Sequence, residues 1–190
     1  MILNQSISQQ VNGGRAGPTV SPGLLSDSLE DHPFFADMQS AHLDVIVACG
    51  TRVQFEAGAP LFAQGTVADR FYLLQSGTVA LGISVPGRGS ITVQTIGPGE
   101  VVGWSWLFAP YRWSFDARCQ EAVTAYSFDG FCLRARCQAD MALGYELMKR
   151  FAEVVVQRLD ATRMQMLDFY GQPDVQVAAG HAQSRRGGSK

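Results

Sequence analysis

The three tryptophans of this 190-residue chain, Trp104, Trp106 and Trp113, fall within ten consecutive positions. Tyr111 and Phe115 join them, and Arg112 and Arg118 stand inside and just beyond the cluster. Aromatic rings stack on flat groups, and arginine takes an anion through a fork of donors. The segment therefore has the parts of a site for a flat, negatively charged ligand. The same residues also suit a packed core. Two readings stand side by side: aromatics that fill the space, or aromatics that line an altered pocket in which Arg112 or Arg118 meets the anion.

Other chemistries find fewer parts. Cys49, Cys119, Cys132 and Cys137 form no CxxC pair, and His32, His42 and His181 are scattered. A zinc site needs tighter clustering, and a jelly-roll metal site needs histidines among its strands. No histidine is placed to serve a Ser-His-Asp or Cys-His arrangement. Neither catalysis nor a metal is expected. The cysteines read as reduced and structural, which suits a reducing compartment.

The elements that position the aromatic segment follow from the apolar pattern. From Asp31 to Ala48, Phe34, Phe35, Met38, His42, Leu43, Ile46 and Val47 recur at helical spacing. His42 on that face reads as a packed or capping residue. From Thr51 to about Phe128, short runs rich in Val, Ile, Thr, Tyr and Phe alternate with Gly, Pro or Asp: RVQFE, PLFAQ, RFYLLQ, TVALGIS, SITVQTI, FDARCQ and VTAYSFD. Many short strands with frequent turns imply an antiparallel sandwich or barrel. Residues 86–89 read as the loop of a hairpin. From Asp140, a residue suited to capping, the helical period returns. Leu143, Leu147, Phe151, Val154, Val155, Leu159, Thr162 and Met166 form a stripe. A helix to Tyr170 would be about 45 Å long, more than a small sandwich covers. The stripe is therefore expected to be the seam of a parallel homodimer.

Phe55, Gly58, Leu61, Phe62, Gly65, Asp69, Phe71, Tyr72, Leu74, Gly77, Val79 and Leu81, followed by Ile96-Gly97-Pro98-Gly99-Glu100-Val101-Val102-Gly103, resemble a cyclic nucleotide-binding domain of the catabolite activator type. The resemblance covers about residues 30 to 168. It implies an α+β fold: an antiparallel β jelly roll, a double-stranded β-helix-like barrel, with a flanking N-terminal helix and a long C-terminal helix. It also implies a cassette whose helix N-terminus and arginine hold a cyclic phosphate while a glutamate holds the ribose. Here the residue after Gly103, where the family has its glutamate, is Trp104. The arginine position falls at Trp113 or Ser114. The candidate pocket is thus Gly103, Trp104, Ser105, Trp106, Arg112, Trp113, Ser114 and Arg118. Its implied ligand is cyclic AMP, cyclic GMP or another small anion. Glu100 lies four places before the ribose position and reads as structural. Asp69 is expected to bond turn amides. Gln157, Arg158 and Thr162 lie where the family's long helix closes over a base; with no ligand, Arg158 reads as solvated.

The expected organisation is a flexible tail at 1–25, the sensor-like domain with its dimer helix at 26–170, and a second tail at 171–190. Residues 26–170 hold 11 Lys and Arg against 16 Asp and Glu, a net of −5 within a chain total of −2. That acidity argues against DNA as a partner. The twenty residues after Tyr170 are too few for a helix-turn-helix, so direct DNA binding is not expected. No membrane span and no signal peptide are visible, and a cytoplasmic protein is expected. The implied function is a non-enzymatic regulatory module that signals through its long helix to a dimer or a protein partner. The alternative is a ligand-free interaction protein whose pocket is filled by aromatics.

Overall fold

A computed structural model describes residues 15–16, 29, 32–87 and 89–170. The expected tails lie outside these residues, apart from Arg15–Ala16, which form a short strand β1. Eight further strands follow: β2 (Gly50–Phe55), β3 (Pro60–Phe62), β4 (Arg70–Ser76), β5 (Val79–Val85), β6 (Gly89–Ile96), β7 (Val101–Val102), β8 (Asp116–Cys119) and β9 (Val123–Asp129). They make two antiparallel sheets, ordered β1-β2-β9-β4-β7 and β3-β8-β5-β6. This is the expected jelly roll, with helices at both ends. The seven runs read from the sequence are β2 to β6, β8 and β9. Strand β4 is buried at Phe71, Tyr72, Leu73 and Leu74, as suits a strand paired on both sides, by β9 and β7. Strand β6 is the opposite case. Among the described residues β5 is its one neighbour, and Gly89–Thr95 are mostly exposed.

The first helical segment is broken where one helix was expected. Pro33–Phe35 form a single 3-10 turn capped by His32, whose Nδ1 accepts the Phe34 N–H at 3.1 Å. Asp37 then takes φ 59°, a left-handed conformation that interrupts a helix. Helix α1 is only Ser40–Val47. Its His42 is packed, as expected, and also lies between two carboxylates: Nδ1 is 2.7 Å from Glu146 Oε2 and Nε2 is 3.4 Å from Asp140 Oδ2.

Helix α2 (Gly130–Ala139) follows β9 directly and was not read from the sequence. Asp129 caps it by accepting the Cys132 N–H at 2.7 Å. Cys132 is disulfide-bonded to Cys49, with Cα atoms 5.9 Å apart. This corrects the expectation of four reduced cysteines: the two lie 83 positions apart, and only the fold brings them together. Cys119 and Cys137 are free thiols, and burial pushes that of Cys119 up to about 11.

Helix α3 (Met141–Tyr170) starts where it was expected, with Asp140 accepting the Ala142 N–H at 2.9 Å. The described residues divide after Phe151 into two compact units, so α3 begins in one and ends in the other. In the first unit Leu143, Leu147 and Phe151 are fully buried. These three are core, which corrects their assignment to a dimer seam. On the same stretch of α3, Met141, Tyr145 and Met148 are exposed. In the second unit Val156, Leu159, Met164, Met166 and Leu167 are exposed, while Arg158 is buried rather than solvated. No helix among the described residues is long and apolar enough to cross a membrane.

Candidate functional site

Between β7 and β8 the chain forms the cassette segment. Gly103 opens it at φ +88°. A Cβ there would stand 2.6 Å from Trp113 Cζ3, so only glycine admits both the turn and the tryptophan ring. Ser105–Leu107 make one 3-10 turn, closed by the Leu107 N–H on the Trp104 carbonyl at 3.0 Å. The end of the segment is laddered to the β3–β4 loop. The Gly65 N–H donates to Trp113 O, the Trp113 N–H to Thr66 O, and the Ala68 N–H to Tyr111 O, at 2.8, 3.0 and 2.8 Å.

The three tryptophans divide. Trp106 is fully buried, stacked on Phe71 with centroids 5.6 Å apart and edge-on to Phe151. Trp113 is also buried and lies flat on Phe62. Trp104 is half-buried, as is Ser105, and Ser114 is exposed. Both arginines of the expected pocket are exposed and bound to backbone carbonyls. Arg112 Nη1 donates to Gly65 O at 2.7 Å, and Arg118 Nη1 donates to Gly58 O at 2.6 Å. Glu100 accepts the Gly97 N–H at 2.6 Å, a turn-capping role.

A third arginine, Arg134 of α2, reaches the segment from behind. Its Nη1 donates to Trp106 O at 2.6 Å, and its guanidinium sits 4.6 Å from the ring centroids of Tyr111 and Phe131. It ties α2 to both ends of the turn.

Next to Trp113 is a cavity of about 210 Å³. Leu61, Phe62, Val67 and Trp113 give it apolar walls, and Asp69, Arg70, Tyr72 and Thr66 give it polar ones. Trp113 alone of the residues expected in the pocket lines it. Asp69 does not bond turn amides. Its carboxylate accepts from Arg70 Nε at 3.0 Å and Nη2 at 2.9 Å. That hydrogen bond outweighs burial and keeps the Arg70 guanidinium charged. Burial pushes the Tyr72 phenol up to about 12, so it is a neutral donor. Reading the sequence missed Arg70. The adjacent Asp69-Arg70 pair at a strand start was the available signal. No cluster of potential metal ligands exists among the described residues.

The model for the cyclic nucleotide-binding domain matches residues 52–140. A candidate cyclic nucleotide-binding protein from Geobacter metallireducens GS-15 is 31% identical, with 74% of this chain and 98% of that one covered and a TM-score of 0.64. A cyclic nucleotide-binding domain from Methylobacillus flagellatus KT shares the fold at TM-score 0.65 and 13% identity, over 82% of this chain and 86% of that one. A CRP-like cAMP-activated global transcriptional regulator of Mycobacterium tuberculosis is 29% identical over 116 residues, 61% of this chain and 50% of its own length. The chain belongs to the cyclic nucleotide-binding domain family. It spans about half the length of the curated relatives it matches.

Proposed function

We propose that this chain is a non-enzymatic regulatory module whose output runs through α3 into a homodimer. The observation that carries the reading is a heptad-spaced series on that helix, exposed at Met141, Tyr145, Met148, Leu159 and Met166. Met141, Tyr145, Met148, Ala152, Val155, Leu159, Thr162 and Met166 follow one another at steps of four and three. That is the a/d spacing of a coiled-coil seam. It replaces the stripe that began with the buried Leu143. A protein partner presenting a similar helix would use the same series. The acidic charge of residues 26–170 assigns DNA no part in this output.

The ligand in this reading is not a cyclic nucleotide held in the family's manner. Trp104 stands where the family's ribose-binding glutamate is expected and Trp113 or Ser114 where its arginine is expected, and Arg112 and Arg118 are engaged with Gly65 and Gly58. The flat packing of Trp113 on Phe62 also favours a second reading, a module that works by its surface alone. The cytoplasm remains the proposed compartment, and the Cys49–Cys132 bond is the observation that weighs against it.

Sedimentation of the wild type and of Leu159→Asp tests the output. A dimer that becomes monomeric on substitution is expected, and a monomeric wild type overturns it. Leu159 is exposed, so the substitution leaves the core intact. Thermal unfolding with cyclic AMP and cyclic GMP tests the ligand. A ligand at 100 times its dissociation constant stabilises by about 2.7 kcal/mol, and no such shift is expected with either.

A further inference from the structure

We propose that the cavity beside Arg70 is a binding site for a small carboxylate with a flat apolar body. The proposal deepens the sensor reading by naming a ligand class, and it rests on that reading only in treating occupancy as a signal.

Size comes first. The cavity, at about 210 Å³, is below the roughly 300–1,000 Å³ of sites for drug-sized ligands, and a small occupant suits it. Shape follows from the stacked Phe62–Trp113 pair, which offers a flat aromatic boundary, with Leu61 and Val67 completing the apolar part.

Charge follows from Arg70. Asp69 covers the Nε–Nη2 edge of the guanidinium. Nη1 lies outside that pair, and the Tyr72 hydroxyl is hydrogen-bonded to the same guanidinium. A carboxylate entering the cavity would share that end of the fork with the hydroxyl. Asp69 fixes the orientation of the fork, and the Tyr72 hydroxyl beside it adds a neutral donor. Arg70 thus supplies from β4 the anion contact that the cassette lacks.

The cavity is also wired to the cassette. Thr66 and Val67 line it, and the same loop bonds Tyr111 and Trp113 through three backbone hydrogen bonds and the Val67–Arg112 bridge. Tyr111 lies under Arg134 of α2. An occupant that shifts the loop therefore pulls on the turn that α2 grips.

The experiment titrates the full chain with benzoate, with neutral benzamide and with benzylamine, reading tryptophan emission and calorimetric heat. Saturable benzoate binding is expected, about tenfold or more tighter than benzamide. Arg70→Lys keeps the charge and loses the fork, and should remove most of that preference. Val67→Trp fills the cavity without touching the ion pair, and should abolish both responses. Equal binding of benzoate and benzamide overturns the proposal. So does a preference for benzylamine, an unchanged Arg70→Lys, or the absence of saturable benzoate binding to folded wild type. A monomeric protein that still binds benzoate would overturn the dimer output alone.

Discussion

The ring of Trp113 lies parallel to that of Phe62, with centroids 3.8 Å apart and planes 8° from coincidence. Its far edge sits where a side chain on residue 103 would be. One tryptophan thus closes one wall of the cavity and requires a glycine before it.

Removing that ring should be costly. Trp113→Ala is expected to lose about 3–5 kcal/mol in denaturant unfolding, as for other buried large aromatics. Gly103→Ala should lose about 1–3 kcal/mol through backbone strain and overlap with the ring. In a Trp113→Leu background the second substitution should cost less. A double-mutant cycle measures this, and strict additivity would show that the two sites do not meet.

Arg134 is expected to matter more than an exposed charge would. Arg134→Ala leaves the Trp106 carbonyl without its 2.6 Å partner and removes two ring contacts. A loss of about 2 kcal/mol follows, with faster amide exchange over residues 105–111. Arg134→Lys should not restore protection, because a point charge cannot serve the carbonyl and both rings. Unchanged exchange in Arg134→Ala would remove it from the cassette's support.

The Glu146 cluster sets an acid response. Burial raises the Glu146 pKa, but hydrogen bonds from His42 and Arg150 outweigh burial and hold it below its usual value. A carboxyl depressed in the folded state adds stability above its unfolded pKa and loses it as pH falls through the folded value. Stability should therefore drop below about pH 4.3, the unfolded glutamate value. Glu146→Gln should show a shallower acid limb. Parallel limbs in the two proteins would exclude the cluster as a cause.

The Cys49–Cys132 bond closes a loop across most of the barrel. Reduction is expected to lower stability by about 2–5 kcal/mol. The Cys49→Ala/Cys132→Ala protein should be insensitive to dithiothreitol. Peptide mapping without reductant should recover the two cysteines as one linked species, and their recovery as separate thiols would contradict the pairing.

The strands were legible because alternating β-branched runs between turn residues have no competing helical reading. Val101–Val102 escaped notice because two residues carry no period. Helix α2 escaped because Leu133 is its one buried side chain larger than glycine, so it shows no stripe. The first helix was overread: Pro33 and the left-handed Asp37 divide a pattern that spacing alone joins. At the site, the tryptophans were visible as a cluster. Which of them packs and which lines a cavity depends on Phe62, Phe71 and Phe151, brought in from other elements. The Asp69-Arg70 pair could be read from adjacency, but the place of Arg70 beside the cavity could not, for the same reason.

Strand β6 has a consequence for handling the protein. Its sequence, GSITVQTI, contains no charge and no proline, and Ile91 and Val93 are exposed beside one unoccupied backbone edge among the described residues. Such an edge is a template for strand addition between molecules, and charges or prolines are the usual guards against it. Concentrated or partly reduced preparations should therefore begin to form fibrillar aggregates at this strand. A lysine at Val93 would be the simplest guard.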